Sequence, residues 1–564
     1  MREGESEIDD PRFFLSKNGK YDPKAELNAT INALFNETRF DDNSTACLFP
    51  ARKWWLEKEL QIKNFPKVTC NEFDKTVERL SPKSATIVFP AAHINSPASM
   101  FGHTFLRINS HYKSKLLAYA VNYAAEADEN RENAITFAVK GLFGGYYGKY
   151  SLLPYYEKLK EYRDREKRDI WEYDLNLSED EVMKMVRHIW ELNGIRSKYY
   201  FFTENCSYNM LWLIETARPS VHLKEHFTYH VIPLETIHAA KEEGLISDEN
   251  YRPSKHTILL RYEELIDKKY IHYVQILQNR PQKSEEIVSS TEIPTQQKRY
   301  ILEAAIELLE YNYAKSEMEK SEYLDIFYKL SKSRAALKRG DIVKIEDPQN
   351  PILSHRAAAF RVGTLHRSGK SYALFGFRPA YHTLEDGSFG FLRGTQIEFL
   401  NGNFFFDLNS FKVEELTILS ITSISQRSDL IKPFSWRTKF GWDRNYLNDE
   451  AVFSAKVGAG LSWGNKYGYL YTMIDPILYA TESNLAIDFS LGIVLDGFEK
   501  SSTVLEVSQK YYDSSTSQKI LSFSYGYMLK QNAQLKLKYE YKQKPSSHIT
   551  EDENSLKILL TLHY

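Results

Sequence analysis

Residues 533–544 read AQLKLKYEYKQK, and their apolar and charged side chains alternate with a period of two. One face is apolar or aromatic and the other is charged: Leu535, Leu537, Tyr539 and Tyr541 against Lys536, Lys538, Glu540 and Lys542. This alternation is typical of a β-strand whose two faces meet different environments. The scheme recurs in LSFSYGYMLK (521–530) and VFSAKVGAGLSWG (452–464). We count about twelve such segments of roughly ten residues, separated by turn sequences such as LEDGS, which is the pattern of an antiparallel transmembrane β-barrel.

Two further features favour a barrel that faces lipid. Aromatic residues make up 14% of the chain, and many lie near strand ends, where an interfacial girdle requires them. The last segment, SLKILLTLHY (555–564), alternates apolar residues up to Tyr564 and resembles the closing strand of bacterial outer-membrane proteins. The mean hydropathy of -0.48 is compatible with a membrane barrel, because strands that alternate apolar and polar residues have polar average values. A water-soluble barrel or sandwich is the alternative, since alternation alone is a weak signal.

The length and charge of the chain restrict its organisation and its partners. A chain of 564 residues exceeds what one hydrophobic core normally organises, so we expect several domains. Changes in period and composition predict four: a helical N-terminal segment (1–80), an α+β domain (81–256), a helical linker (257–350) and the barrel (351–564). With 73 basic and 75 acidic side chains the formal net charge is -2, so nucleic acid is not an expected partner.

The sequence has no obvious hydrophobic leader or spanning helix. Apolar runs are short, far from the roughly 18 to 20 residues of a spanning helix, and the first residues, MREGESEIDD, include no signal region. Either the protein is cytosolic or this is a mature form whose leader has been removed. Because of the barrel pattern we expect the mature form of a bacterial outer-membrane protein, with the signal peptide absent from this chain.

The three cysteines divide into a pair and a single residue. Cys47 and Cys70 lie in the same N-terminal segment, whereas Cys206 stands alone. The simplest interpretation is one disulfide, Cys47–Cys70, plus one free thiol, which suits an exported protein. Three unrelated reduced thiols are the alternative. An exported protein keeps an odd thiol reduced for a reason, and nucleophilic catalysis is one such reason.

Cys206 lies in FFTENCSYNML (201–211), between a polar turn and an apolar run. Thr203, Glu204 and Asn205 are residue types that cap helices, so we expect Cys206 in the first turn of a buried helix. The amides and the dipole of a helix N-terminus lower the pKa of a thiol. A nucleophilic cysteine also needs an imidazole base, and that base needs a polar group to orient it.

Histidines in and near the short strands are the candidate bases. His103 begins the strand HTFLRINS directly after a glycine, so its side chain would leave the strand end where another group can approach closely. His93 lies ten residues earlier, in a predicted loop. A lone histidine is more often structural than catalytic, and spacing alone does not choose between the two. His226 and His230 have i, i+4 spacing but lack the HExxH glutamate, which gives little support for a zinc site.

The segments SMFGHTFLRI, LLAYAVNYAA and FFTENCSYNMLWLIE together resemble the N-terminal periplasmic domain of Lnb-type bacterial lipoprotein N-acyltransferases. That domain is similar to circularly permuted papain-like (NlpC-type) folds, in which the histidine strand precedes the helix that carries the cysteine. The resemblance covers residues 84–215 closely and the layout with a C-terminal barrel more loosely. It implies Cys206 as the nucleophile, His103 as the base and Asn122 as the orienting group, and it assigns no role to His93.

The resemblance also implies a reaction: an acyl chain moves from a phospholipid through a Cys206 thioester to the N-terminal amine of a diacylglyceryl-cysteine lipoprotein, without a metal or cofactor. The glycine-rich apolar stretch VKGLFGGYYGKYSLLPYY (139–156) suggests a lid or lipid entrance, or else an ordinary buried loop. The residues expected to contact substrate are Gly144, Gly145, Tyr146, Tyr147 and Asn205. Two rival functions remain: an NlpC-like cysteine peptidase or amidase acting on cell-wall peptides, and a non-enzymatic outer-membrane channel whose periplasmic domain only binds lipoprotein.

Overall fold

The computed structural model of the protein describes residues 4–62, 64–91, 102–112, 114–127, 134–166, 168–315, 318–340, 343–388, 390–447, 450–481, 484–514, 516–544 and 551–564. His93 lies outside these residues. The chain forms two compact units, Met1–Ser254 and Lys255–Tyr564, and each is described by itself. The finer division into four domains stays a prediction.

The first unit is an α/β region built on one antiparallel sheet. Its helices are α1 (Pro23–Phe35), α2 (Thr45–Leu48), α3 (Pro50–Glu59), α4 (Asn71–Leu80), α5 (Ala134–Leu142), α6 (Tyr155–Leu159), α7 (Glu179–Glu191), α8 (Cys206–Ala217) and α9 (Pro233–Glu242). Its strands are β1 (Pro82–Pro90), β2 (Phe105–Ser110), β3 (Tyr119–Ala125), β4 (Tyr146–Pro154), β5 (Ile170–Leu175), β6 (Arg196–Tyr199) and β7 (Ile246–Arg252). They lie in the order β6-β4-β3-β2-β1-β5-β7, and every neighbouring pair is antiparallel. The relation of this unit to papain-like folds stays a prediction.

Local sequence explains why helices cover the central strands. Helix α7 begins at a capping box, in which the hydroxyl of Ser178 accepts the N–H of Glu181 and the Glu181 carboxylate accepts the N–H of Ser178. Helices α7 and α9 contact β1, and α8 contacts β2 and β3. The helix that begins with Cys206 therefore lies against β2, which follows His103, and against β3, which contains Asn122.

A buried ion pair lies at the centre of this sheet. The side chains of Arg107 on β2 and Glu172 on β5 are both fully buried and 2.7 Å apart. Glu172 also accepts hydrogen bonds from Tyr155, at 2.5 Å, and from Arg252. Burial alone would raise the pKa of Glu172, but the charges of Arg107 and Arg252 outweigh burial and lower it to about 2. The carboxylate is therefore ionised at neutral pH, and its negative charge balances the positive charge of Arg107.

The predicted disulfide is confirmed. Cys47 in α2 and Cys70, which directly precedes α4, are bonded, with their Cα atoms 5.2 Å apart. Cys206 is a free and buried thiol. The disulfide therefore joins α2 to the residue before α4, and Cys206 is left as a free thiol.

The second unit begins with helices that pack on a loop of the barrel. These are α10 (Lys255–Leu265), α11 (Ile271–Asn279), α12 (Lys283–Ser289), α13 (Thr295–Ala314) and α14 (Lys320–Ala336). None of the helices in the described ranges has the length and apolar character needed to cross a membrane. Their buried core includes Leu430 and Ile431, which lie between two barrel strands. Glu263 accepts the backbone N–H groups of Asp429 and Leu430 at 2.7 and 3.1 Å, so the helices are attached to the barrel at this loop.

The barrel is closed and antiparallel. Its strands are β8 (Ala359–Arg367), β9 (Lys370–Arg378), β10 (Ala380–His382), β11 (Thr395–Phe406), β12 (Phe411–Ser423), β13 (Ser435–Asp443), β14 (Val452–Asn465), β15 (Gly468–Tyr479), β16 (Leu485–Phe498), β17 (Ser501–Tyr512), β18 (Ser517–Lys530), β19 (Ala533–Lys544) and β20 (Glu551–His563). Strands β9 and β10 form one interrupted strand, because both pair with β11. The ring closes where β20 pairs with β8. Counting β8, the β9–β10 strand and the ten strands β11 to β20, the twelve predicted strands are confirmed.

The barrel presents an apolar surface to its surroundings. On β16 every second residue is exposed and apolar: Leu485, Ile487, Phe489, Leu491, Ile493 and Leu495. The alternate positions point inward and include the buried Asp488 and Ser490. An apolar exterior around a polar interior is the arrangement of a membrane barrel and the reverse of a water-soluble one. The alternative of a soluble barrel or sandwich is therefore wrong.

The segment that follows β10, described for residues 383–388 and 390–394, crosses the barrel interior. The guanidinium of Arg393 donates to the carboxylate of Asp496 on β16, with Nε 2.8 Å from Oδ1. The backbone oxygen of Glu385 accepts a hydrogen bond of 2.7 Å from the side chain of Gln534 on β19. Because β16 and β19 are not neighbours of β10 in the ring, this segment extends across the lumen.

Candidate active site

Helix α8 begins at Cys206 and is capped by Asn205. The side-chain oxygen of Asn205 accepts the N–H groups of Ser207 and Tyr208 at 3.0 and 3.2 Å. Its amide nitrogen donates to two backbone oxygens of neighbouring loops at 3.0 and 2.7 Å. An asparagine amide offers two N–H donors and one oxygen with two lone pairs, so these bonds use Asn205 to fix the start of the helix. Its contact with substrate stays a prediction.

His103 and Asn122 are in hydrogen-bonding contact. Nε2 of His103 lies 2.7 Å from Oδ1 of Asn122 on β3. Because an amide oxygen can only accept, Nε2 carries the ring proton and Nδ1 is left with a lone pair. Gly102, directly before His103, has a φ of +94°, and a Cβ there would lie 2.7 Å from the Phe89 ring. Only glycine fits this close approach, which places His103 at the strand end.

Cys206 is 6% exposed, and His103 lies close enough to affect the protonation of its thiol. Burial alone would raise the pKa of this thiol. The charge and hydrogen bond of His103, the backbone N–H of Thr104 and the hydroxyl of Ser207 outweigh burial and lower the pKa to about 6. A thiol with this pKa is about 90% ionised at pH 7. The structure therefore brings Cys206, His103 and Asn122 together in an arrangement that suits a thiolate beside a protonated imidazole ring held by an amide oxygen.

An aromatic stack holds the imidazole. The ring of Tyr162 stacks on that of His103 with centroids 5.7 Å apart and planes 30° apart. Phe105 packs on Tyr162 at 5.6 Å, and the guanidinium of Arg168 lies over the Tyr162 ring at 5.1 Å. These contacts restrict rotation of the His103 ring and keep one edge turned towards the thiol.

Tyr199 contacts Cys206, although the sequence interpretation did not single it out. Its hydroxyl oxygen accepts the backbone N–H of Cys206 at 3.2 Å. Burial and the charge of the thiolate raise the pKa of Tyr199 well above its ordinary value, so the hydroxyl stays protonated. It can donate to a negative charge on the sulfur or beside it. Tyr199 lies in the aromatic run KYYFF (198–202), where no pattern separates it from its neighbours.

The predicted lid segment packs against the residues that lead into Cys206. Gly144 and Gly145 lie just before β4, and Gly144 has a φ of +71° that favours glycine. The ring of Tyr146 stacks on that of Phe201 with centroids 6.3 Å apart. Tyr147 is 51% exposed. The structure thus places these four residues near the site, and their contact with substrate stays a prediction.

His226 and His230 are not part of this cluster. A 3-10 turn, Leu223–His226, ends at His226, so no helix presents His226 and His230 on one face. His226 instead pairs with Glu243 at 3.1 Å and with Glu242 at 3.3 Å. The spacing that suggested a weak zinc pattern therefore corresponds to a surface ion pair.

Solved structures that match the chain include bacterial porins and channels. The NanC porin is 11% identical over 36% of this chain and 100% of that chain, with a TM-score of 0.26. An outer membrane channel from Pseudomonas putida F1 is 9% identical over 40% of this chain and 100% of that chain, with a TM-score of 0.24. OmpT, an outer membrane protein of Vibrio cholerae, is 7% identical over 37% of this chain and 96% of that chain, with a TM-score of 0.19. No curated protein matches the chain.

Family models match most of the chain in four pieces. Residues 72–243 match the model described as the Lnb N-terminal periplasmic domain. Residues 1–59, 249–344 and 348–559 match three models that are each described as a domain of unknown function. The closed barrel with its apolar exterior and the periplasmic match assign the protein to the bacterial outer membrane. The match supports an Lnb-type periplasmic domain in the N-terminal unit, followed by a twelve-stranded antiparallel barrel.

Proposed function

We propose that the protein is a lipoprotein N-acyltransferase that uses Cys206 as its nucleophile. It moves an acyl chain from a phospholipid to the N-terminal amine of diacylglyceryl-cysteine lipoproteins. The observation that carries this proposal is the free, buried Cys206 at the start of α8, packed beside a His103 ring whose Nε2 lies 2.7 Å from Oδ1 of Asn122. The lowered pKa of the thiol agrees with this arrangement. The similarity of residues 72–243 to the Lnb N-terminal periplasmic domain supports the choice of reaction.

The first half-reaction transfers the acyl chain to sulfur. The Cys206 thiolate attacks the ester carbonyl carbon of the phospholipid, so a C–S bond forms and the carbonyl oxygen becomes an oxyanion. The Tyr199 hydroxyl, whose oxygen already accepts the backbone N–H of Cys206, can donate its proton to that oxyanion. As the C–O bond breaks, the His103 imidazolium gives its proton to the departing lysophospholipid oxygen. A thioester on Cys206 and a neutral His103 result.

The second half-reaction transfers the acyl chain to nitrogen. The lipoprotein amine attacks the thioester carbonyl while neutral His103 accepts a proton from the attacking nitrogen. The C–S bond then breaks, an amide forms, and the electron pair returns to sulfur. The thiolate and imidazolium are thereby restored without a metal or a cofactor in either step.

Exposed apolar side chains beside the site favour a lipid substrate. Val139 is 50% exposed and Phe143 is 78% exposed, and both lie at or after the C-terminal end of α5, next to the exposed Tyr147. Side chains of this kind partition into the interfacial region of a bilayer. Because the same segment packs against Phe201, a lipid held there would lie close to the start of α8.

The substrate and the state of the barrel lumen separate the rival functions from an acyltransferase. A cysteine peptidase would use the same thiol and base on a cell-wall peptide, so the substrate separates it from an acyltransferase. A channel needs an open lumen, whereas residues 383–388 and 390–394 extend across this one. Inside the lumen Arg437 pairs with Asp475 and with Glu506, which further obstructs a pore. These observations favour an enzyme over a channel.

The test uses bacteria that depend on this protein for lipoprotein N-acylation. Cells carry the wild type, Cys206→Ala, Cys206→Ser, His103→Ala or the control His111→Ala, and their lipoprotein N-terminal peptides are examined by mass spectrometry. His103 lies just before β2 and His111 directly after it. The His111 side chain is 51% exposed and contacts Glu179 at 3.5 Å. It therefore controls for the loss of any histidine in this region.

We expect both Cys206 variants and His103→Ala to lose N-acylation, while His111→Ala retains it. The serine variant fails because a hydroxyl is far harder to ionise than a thiol. Full N-acylation by Cys206→Ala would exclude the proposed reaction. Cleavage of cell-wall peptides by the purified wild type, without acyl transfer, would favour the peptidase.

A further inference from the structure

Four buried donor side chains come together inside one end of the barrel. His355 precedes β8, His382 ends β10, Asp386 lies in the segment that follows β10, and His563 ends β20. Each is buried. They come from separate parts of the chain, so no short sequence motif announces the cluster.

The separations of these donor atoms suit a single metal ion. Nε2 of His355 lies 3.3 Å from Nδ1 of His382, and each of these nitrogens lies 3.8 Å from Oδ2 of Asp386. The donor atoms of His355, Asp386 and His563 all lie within 4.8 Å of one another. Ligand atoms about 2.0 to 2.1 Å from a tetrahedral zinc ion are roughly 3.3 Å from each other. Small side-chain shifts would therefore bring the donors of His355, Asp386 and His563 to coordination distance, and a turn of the His382 ring would be needed to add a fourth.

The hydrogen bonds of the histidines leave lone pairs for an ion. Nδ1 of His355 lies 2.7 Å from the backbone oxygen of Arg356, so Nδ1 carries the proton and the Nε2 lone pair accepts from Nδ1 of His382 at 3.3 Å. An ion bound at Nε2 would replace that hydrogen bond. An outer hydrogen bond of this kind commonly orients metal-binding histidines. Both ring nitrogens of His563 are buried without a hydrogen-bond partner among the residues that the structure describes. Buried polar atoms are normally paired, so His563 points to a ligand that the protein itself does not supply.

We propose that His355, Asp386 and His563 bind one divalent transition-metal ion, that His382 supplies a fourth ligand once its ring turns, and that zinc is the ion they suit best. Imidazole and carboxylate are zinc ligands, and zinc takes four of them without a strong geometric preference of its own. Phe391 stacks on His382 with centroids 4.0 Å apart and limits access of water to the site.

Two cations already contact the carboxylate of this site. Nη1 of Arg378 lies 2.8 Å from Oδ2 of Asp386, and Nζ of Lys536 lies 2.5 Å from Oδ1. They hold the carboxylate in a fixed orientation, but their charges oppose a further cation. We therefore expect a chelator to remove the ion more readily than from a site whose carboxylate lacks such neighbours.

The bound ion would join parts of the barrel that are far apart in sequence. His563 pairs with Ala359 where the last strand meets the first, and Asp386 belongs to the segment that extends across the lumen. Coordination would hold the closing seam and this segment together. Because the ion binds the folded barrel, it would also stabilise the barrel against unfolding.

The experiment uses the full-length protein in detergent, purified without a histidine tag. Metal content of the purified protein is measured, the protein is stripped with a chelator, and Co²⁺ is added while its visible absorption reports tetrahedral coordination. The variants are His355→Gln and His563→Gln. The control is His366→Gln, because His366 is an exposed residue of β8 that contacts Ser371 at 3.0 Å. Heat-dependent gel migration shows whether each variant forms the barrel.

We expect one equivalent of Co²⁺ with a tetrahedral spectrum in the wild type and the control, and an affinity at least about tenfold lower in both site variants. The stripped wild type should also lose its barrel fold at a lower temperature than the zinc-loaded protein. A wild type that binds no Co²⁺ with a tetrahedral spectrum would overturn the proposal. This measurement uses the wild type alone, so it does not depend on whether the variants fold. Binding by folded His563→Gln that equals the wild type would overturn it as well.

Discussion

Replacing His103 with alanine should convert Cys206 from a thiolate into a neutral thiol at physiological pH. In the wild type, burial raises the thiol pKa, and His103 supplies the largest of the opposing effects that lower it to about 6. The variant keeps the burial and the Thr104 N–H but loses the charge and the hydrogen bond of the imidazole. We therefore expect the pKa to return at least to the ordinary value of about 8.5.

The size of this change follows from the two pKa values. A rise from about 6 to about 8.5 corresponds to a loss of thiolate stabilisation on the order of 3 kcal/mol. At pH 7 the ionised fraction would fall from about 90% to about 3%, roughly a thirtyfold loss of nucleophile. The variant also loses its general base, so acyl transfer should fall by more than this factor.

The ultraviolet absorbance of the thiolate, followed as a function of pH, measures this shift. Subtracting the Cys206→Ser titration isolates the signal of one residue, because Cys47 and Cys70 are disulfide-bonded. The thiolate forms as the pH rises through the pKa, so the wild type should show a midpoint near pH 6. The control His111→Ala should match it, and His103→Ala should show a midpoint well above pH 7. A wild-type midpoint near the ordinary value, or one that His103→Ala leaves unchanged, would refute the reasoning.

Asn122→Ala should lower kcat/KM for acyl transfer by about ten- to a hundredfold, because the imidazole loses only its orienting bond; steady-state kinetics that show a loss as large as that of His103→Ala would contradict a purely orienting amide. Tyr199→Phe should lower kcat by about tenfold or more with little change in KM, since a hydrogen bond to a charged group contributes about 1.5 to 3 kcal/mol, and an unchanged kcat would remove Tyr199 from the reaction. Glu172→Gln should destabilise the N-terminal unit by about 3 kcal/mol, because Arg107 loses its buried partner; proteolysis in increasing urea measures this, and wild-type resistance would contradict it. In planar lipid bilayers the protein should show no stable conductance because of the segment across its lumen, and steady open-pore currents would disprove an obstructed barrel.

The barrel was predictable because alternation is a direct consequence of strand geometry. Side chains on β16 and β19 must point alternately to lipid and to the interior, and a strand of ten or more residues repeats that signal several times. The interior was not predictable in the same way. The composition of LEDGS (384–388) indicates a turn between strands. In the structure these residues instead lie in the segment that crosses the lumen. Composition identifies a break between strands but not the direction in which the chain leaves them.

The candidate site also has one part that local sequence predicts and another part that depends on tertiary packing. The helix start at Cys206 follows from local capping residues, which act over a few positions. The pairing of His103 with Asn122 depends on which strands are neighbours in the sheet, and only the family resemblance suggested it. Tyr199 was missed because it reaches the thiol from β6 through tertiary packing. The backbone N–H of Thr104 was missed because every residue type presents the same group.

The central claim is that Cys206 carries the acyl chain, and intact mass spectrometry tests this most directly. The purified wild type and Cys206→Ser are incubated with a phospholipid of single acyl composition, first without an acceptor and then with a diacylglyceryl-cysteine lipopeptide. We predict a mass increase of one acyl chain on the Cys206 peptide of the wild type alone. Neutral hydroxylamine should remove it, and addition of the lipopeptide should transfer it to the amine. A triacylated lipopeptide formed by Cys206→Ser at the wild-type rate, or formed by a wild type that never carries an acyl chain on Cys206, would contradict the account.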